Sequence, residues 1–302
     1  MQRLFKQQRI FMNTLVAIKL NSGLGTIKSN DLIEEAFSKF DYVVKKYSRF
    51  DPNSNLSKLN NQSGKTVHIS KELFFLIKTA LTLAKLSDGL FDPTIVDLLE
   101  IYGYTSKYFR HEVKDLTAEI KNILNNRPKW QDIELDEHKS TIKLKPTQRI
   151  DLGNIGKGYA IDLATKVLLP SENFLINAGG DIYAHGKNEK GRIWDVGLCL
   201  SSDTKKIFGK IKLKNSSLAC SGSAAIKLKN FHHLLNPKTG RPMQGIDQSF
   251  VLHQSAMLAD GYATMLFLTG KRGLDILEKQ KIGGLILKGR KVITNKYFQK
   301  WY

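Results

Sequence analysis

The residues of this chain best suited to chemistry by type and spacing are Asp260 and Thr264, within the run SAMLADGYATMLFLTG from Ser255 to Gly270. The apolar positions of the run recur with a helical period, which puts the carboxylate and the hydroxyl one turn apart on the same face. Together they offer two oxygen ligands to a hard cation such as magnesium, which also takes backbone carbonyls, water and phosphate oxygens. Two polar residues facing water would show the same spacing. Asp260, however, lies among Met257, Leu258, Ala263, Met265, Leu266 and Phe267, so part of this helix must be buried, and a buried carboxylate needs a partner.

Three further clusters are punctuated by glycine, which is expected where backbone must approach a ligand closely. In DLGNIGKGYAID, Asp151 to Asp162, glycines 153, 156 and 158 stand ahead of a helical pattern, and Lys157 adds a point charge suited to a phosphate. The G-x-x-G-x-G spacing fits neither the Walker loop nor the dinucleotide fingerprint, so an ordinary strand-to-helix turn explains it equally well. NAGGDI, Asn177 to Ile182, reads either as backbone packed on a ring or phosphate or as a plain tight turn. HHLLNPKTGRP, His232 to Pro242, dictates a turn and offers His233 as a proton carrier or ligand contact, although a lone histidine more often serves structure.

The elements that must position these residues follow from periodicity. Helical spacing runs from Asn30 to Tyr47 and from Ser70 to Leu86, then again after Gly153, near Ala256 to Leu268 and near Gly273 to Lys281. Period-two alternation spans Arg9 to Leu20 as one strand, with Met12, Thr14, Val16, Ile18 and Leu20 on one side. Shorter strands are expected at 174–176, 194–198, 207–213, 250–253, 285–287 and 292–293. Residues 100–150 carry the weakest pattern, with a short helix near Leu116 to Leu124 and a hairpin-like pair at 133–135 and 141–144. Without a regular βαβ rhythm or an internal repeat, the expected class is α+β, mixed sheets with packed helices, over one domain of residues 1–302.

Composition narrows the function classes. A chain of 302 residues with 41% apolar side chains can bury a real core, which excludes disorder. Lysine and arginine total 47 against 28 acidic residues, a formal charge of +19, so anionic ligands are attracted. The basic residues are scattered rather than gathered with aromatics on one face, so no nucleic acid is expected. The cysteines, Cys199 and Cys220, cannot build a disulfide framework or a four-cysteine zinc site. The longest apolar run near the start is Leu15 to Ile18, too short for a signal-peptide core or a membrane anchor, and the expected location is cytoplasmic.

Taken in order, these clusters resemble the ApbE family of magnesium-dependent flavin transferases, from Met12 to about Gly270. Met12-Asn13-Thr14 matches the family's Met-Gly-Thr strand. SRFDPNSNLSKLN, Ser48 to Asn60, matches its next segment, and Gly89, Phe91, Asp92, Pro93 and Thr94 match Gly-x-Phe-Asp-Pro-Thr. DLGNIGKGYAID is similar to the family's Asp-x-Gly-Gly-Ile-Ala-Lys-Gly-Tyr loop and NAGGDI matches outright. HLLNPKTG resembles His-Ile-Ile-Asp-Pro-Arg-Thr-Gly, and LADGYATML resembles the Ala-Asp-Ala-x-Ala-Thr helix. Each match alone is weak; the order is what is specific.

The resemblance implies a T-fold-like, two-lobed arrangement and FAD as a substrate, contacted near Met12, Phe50, Leu90, Phe91, Asp92, Asp151, Lys157, His233 and Leu234. It implies Mg2+ held by Asp260, Thr264 and the backbone carbonyl of Asn154. The implied reaction moves the FMN moiety of FAD to a threonine or serine hydroxyl of an acceptor flavoprotein, releasing AMP, and His233 is the catalytic candidate for the hydroxyl proton. The chain departs from the pattern at Asn13, where glycine is usual, at Asn154 and Gly156, and at Asn236, where the family carries aspartate. The alternatives are an FAD pyrophosphatase releasing FMN and AMP, and a non-catalytic FAD-binding protein.

Overall fold

The computed structural model describes residues 3–105, 115–224, 227–228 and 231–299. The chain opens with a hairpin of β1 (Arg3–Phe11) and β2 (Thr14–Ser22), followed by the long helix α1 (Thr26–Tyr47) and the short α2 (Asn55–Asn60). Next come β3 (Thr66–His68), α3 (Lys71–Leu86), α4 (Val96–Ile101), α5 (Thr117–Asn126), β4 (Glu134–Asp136) and β5 (Thr141–Lys143). Helix α6 (Gly153–Leu168) leads into β6 (Asn173–Ala178), β7 (Asp181–His185), the hairpin β8 (Trp194–Leu200) and β9 (Asp203–Leu213), and β10 (Ser216–Gly222). Two short ladders follow, β11 (Lys227–Leu228) with β12 (Phe231–His232) and β13 (Leu235–Asn236) with β14 (Arg241–Pro242). The described chain closes with β15 (Gln248–His253), α7 (Ala256–Thr269), α8 (Lys271–Lys279), β16 (Gly283–Lys288), β17 (Lys291–Thr294) and α9 (Lys296–Gln299).

Eight strands form the main sheet in the order β1-β2-β6-β7-β10-β15-β16-β17, every described ladder antiparallel. This is the α+β architecture expected from the sequence. One face of the sheet carries the larger core, where α1, α6 and α7 pack together. The other face is covered by the β8–β9 hairpin, whose Trp194, Val196, Leu198, Ile211 and Leu213 meet Leu175, Leu218, Phe250 and Leu285 of the sheet. A third, smaller cluster joins α4 and α5 to Leu235. No helix among the described residues is long and apolar enough to cross a membrane.

Two local readings need correction. The alternation from Arg9 to Leu20 is not one strand: it crosses a two-residue turn at Met12 and Asn13, both left-handed at φ 50° and 57°. A two-residue turn sets Phe11 opposite Thr14, so the inward positions change from odd to even across it, and Met-Asn is not a strong turn signal by composition. Strand β10 also escaped the pattern. It lies between α7 and the β8–β9 hairpin, is buried on nearly every residue and is built of small side chains, so it shows no alternation.

Helix α7 is buried almost all round and α6 crosses it at Gly158. A Cβ there would stand 2.2 Å from the backbone oxygen of Ala256, which cannot swing aside as a side chain would. Gly158→Val should therefore force the helices apart and cost about 3 kcal/mol of stability, measurable as a lowered urea midpoint.

Candidate functional site

A cavity of about 700 Å³ opens where the β1–β2 turn, the start of α6 and the middle of α7 converge. Of the residues singled out from the sequence, Met12, Phe50, Asp92, Asp151, Asn154 and Lys157 line it. His233, Asp260 and Thr264 line it too. Leu90, Phe91 and Leu234 do not. Phe91 and Leu234 are core residues at 2% and 3% exposure, and Leu90 packs against the same core. The chain after α3 folds inward there, with the Phe91 amide donating to Ser87 Oγ, so the Leu90 and Phe91 side chains pack into the interior.

The floor of the cavity is a buried ionic cluster. The Lys157 ammonium lies 2.6 Å from Asp181 Oδ2 and 3.3 Å from Asp260 Oδ1, and both carboxylates are buried. Burial alone would depress the ammonium, but Asp181 and Asp260 more than offset it and hold Lys157 charged. Burial pushes the Asp260 carboxyl above the usual range, opposed by Lys157 and reinforced by Asp181. Thr264 Oγ1 is one turn along α7 from Asp260 and 3.1 Å from Ser221 Oγ. Asp181 and Ser221 were missed in the sequence. Asp181 carried a signal inside NAGGDI, whereas Ser221 belongs to the unpatterned β10.

Glycines 153, 156 and 158 sit within the first turns of α6 rather than in a loop ahead of it. The Gly158 amide donates to Asp260 Oδ2 at 3.1 Å, which ties α7 to the very turn that carries Asn154. The reverse tie runs from Asp162 of α6, whose carboxylate accepts the Ser255 hydroxyl and the amides of Ala256 and Met257 at the start of α7.

No group of three or more His, Cys, Asp or Glu able to hold a metal occurs among the described residues. What the cavity floor offers is hard oxygen: carboxylates formally in excess of the one ammonium, a hydroxyl, and the helix-start backbone. That donor set fits Mg2+, which binds through one or two carboxylates and completes its shell with water and substrate phosphate.

One wall is aromatic and cationic. The Arg49 guanidinium lies over Phe50 at 4.1 Å and over Tyr104 at 5.3 Å, and Tyr104 stacks with His233 at 6.1 Å between centroids. Arg49 is fixed by Asp151 Oδ2 at 2.6 Å and by the Tyr104 carbonyl at 2.7 Å. It lines the cavity and was not singled out in the sequence. Asp92 accepts Thr94 Oγ1 at 2.6 Å and Arg127 at 3.0 Å, which holds the Phe-Asp-Pro-Thr turn in place. Cys220 also reaches the cavity, with burial pushing its thiol up to about 12 so that it stays uncharged.

Tyr47 and Tyr159 contribute to the lining, and Glu72 in the first turn of α3 accepts hydroxyls from Tyr159 and Tyr42. Burial raises the Glu72 carboxyl, but the Tyr159, Tyr42 and Tyr47 hydroxyls outweigh it and hold it below the ordinary 4.5. A depressed carboxyl stabilises the fold above its unfolded pKa and loses that contribution as pH falls through the folded one. Glu72→Gln should thus lower the melting temperature at neutral pH and converge with wild type under acid, in a series of thermal melts across pH.

Two departures from the family pattern have local reasons. Position 13 needs a left-handed backbone, which asparagine tolerates as glycine does. The Asn236 side chain accepts the Lys238 amide at 2.9 Å and its carbonyl accepts that of Gly240, so it caps its turn as an aspartate would.

The ApbE family profile matches residues 12–286. A Haemophilus influenzae protein named FAD:protein FMN transferase is 30% identical over 290 residues, covering 90% of this chain and 82% of that one. A Chlamydia trachomatis protein of the same name is 29% identical, covering 80% and 78%. Among solved structures, the ApbE protein of Thermotoga maritima superposes with a TM-score of 0.89 at 27% identity over 99% of both chains. The flavin transferase ApbE of Vibrio cholerae, at 24% identity, shares the fold with a TM-score of 0.89 over 100% of both. With the motifs in order, the fold in common and the profile spanning nearly the whole length, this chain belongs to the ApbE family.

Proposed function

We propose that this protein is an FAD:protein FMN transferase, moving FMN from FAD to a threonine or serine hydroxyl of an acceptor flavoprotein with release of AMP. The observation that carries the reading is the buried Lys157–Asp181–Asp260 cluster, with Thr264, at the floor of a cavity large enough for an extended ligand. The hydroxyl oxygen forms the new bond to the FMN phosphorus, the phosphoanhydride P–O bond breaks, and AMP leaves with the electron pair. Asp260, Thr264 and the Asn154 carbonyl would hold Mg2+, which when bound neutralises the paired phosphates and the charge that develops between them.

The protein's own groups do the rest. Lys157 presents a fixed positive charge that a phosphate oxygen can meet, and Arg49 braces the wall on which a flat ring can stack. His233, stacked on Tyr104 in the cavity lining, would take the hydroxyl proton. Met12, Phe50, Asp92 and Asp151 supply the remaining contacts to FAD. Residues 1–302 are read as one domain, because the main sheet is built from both ends of the chain.

The Asn236 side chain caps its turn as an aspartate would, which supports the transferase reading over a non-catalytic FAD binder. Incubation with FAD, Mg2+ and an acceptor should give a flavin-fluorescent acceptor band that survives denaturation, with one AMP per FMN attached. FMN and AMP released at the same rate without acceptor would instead make the protein a pyrophosphatase. FAD bound with no AMP released under either condition would end the transferase reading.

A further inference from the structure

We propose that the outer face of the β1–β2 hairpin is where the acceptor docks, through an extended segment with an apolar side chain near the modified hydroxyl and acidic side chains further along. This rests on the flavin-transfer reading above and concerns the partner's recognition.

The hairpin register sets Gln7 opposite Ile18 and Arg9 opposite Val16 on the side facing α1, where Gln7 bonds Asn30 and Arg9 pairs with Glu34. The opposite side therefore carries Ile10 facing Leu15, Gln8 facing Ala17, and Lys6 facing Lys19. Ile10 is 77% exposed and Leu15 50%, a directly opposed apolar pair left in water. The pair flanks the Met12–Asn13 turn, and Met12, Asn13 and Thr14 line the cavity, so a segment seated on Ile10 and Leu15 reaches the site of transfer by crossing that turn.

Lys6 and Lys19 are both exposed, and neither has an ion-pair partner among the described residues. Like charges directly opposite across a ladder destabilise it. The hairpin thus carries a local electrostatic cost that an acidic partner relieves. Four residues of strand separate the two pairs, about 14 Å along the chain, which sets the spacing between apolar and acidic positions in the docking segment. Strand β1 lies at the edge of the main sheet, so no further strand of that sheet covers the hairpin on its β1 side.

The test uses the full chain with FAD and a fluorescein-labelled peptide carrying one threonine, a neighbouring leucine and, four residues on, paired aspartates. Anisotropy should report binding to wild type and at least about tenfold weaker binding to Lys19→Glu and to Ile10→Ser/Leu15→Ser. FAD binding, read by flavin fluorescence, should be unchanged in both variants. Lys19→Glu gives Lys6 an opposite charge, so it should melt no lower than wild type while losing the peptide, an outcome that unfolding cannot mimic.

Equal affinity across the variants, or no peptide binding by a wild type that binds FAD, overturns the proposal. So does sedimentation showing that Ile10→Ser/Leu15→Ser converts a dimer to a monomer with peptide affinity intact, since the face would then join two copies. Failure of wild type to bind FAD would strike the functional reading instead.

Discussion

Asp260→Ala is expected to lower FMN transfer about a thousandfold, the effect of removing one pre-set charge partner from a dry reaction site. The same carboxylate meets the Lys157 ammonium, accepts the Gly158 amide and stands one turn from Thr264, so its loss strips the proposed ion of its charged ligand. The fold should survive. Lys157 keeps Asp181, and the lost bond from the Gly158 amide costs about 1 kcal/mol. Single-turnover transfer, Mg2+ affinity by calorimetry and a thermal melt separate the effects: a stable variant with lost transfer and weakened Mg2+ binding is the expected result. Transfer within about tenfold of wild type with Mg2+ binding intact would remove Asp260 from the ion's ligands.

Lys157→Met acts on the opposite charge and should be the most damaging change to stability. It leaves Asp181 and Asp260 buried without their cation, and breaking a buried pair from one side costs about 3–5 kcal/mol. For a chain of this size that corresponds to a melting point lower by roughly 5–8 °C. Mg2+ should restore part of the loss in Lys157→Met and raise the wild-type melting point less, because in the variant the ion is the only positive charge offered to the carboxylates. A melting point of Lys157→Met that is indifferent to Mg2+ would mean that these carboxylates do not hold the ion.

How far the site could be read in advance depended on whether each residue announced itself by local spacing. Asp260 and Thr264 did, because a polar pair at helical separation inside an apolar run conflicts with burial unless something answers it. Lys157 did, beside the glycines that let α6 approach α7. Arg49 did not: one arginine among 47 basic residues carries no mark, and only the folded chain encloses it between Phe50 and Tyr104. Phe91 and Leu234 show the converse, since motif position placed them by the ligand while their apolar surface took them into the core.

The helices α3, α6 and α7, the α+β class and the turns at Gly179 and Gly240 were determined by the sequence alone, since periodicity and backbone freedom are properties of neighbouring residues. The pairing of Asp181 with Lys157, the bond from the Gly158 amide to Asp260 and the exposure of Ile10 with Leu15 join or separate residues through the tertiary fold. Register and burial decide such meetings, and neither is a local quantity: a two-residue turn at Met12 reverses which side chains face inward, and sequence spacing cannot state which distant strand will lie beside them.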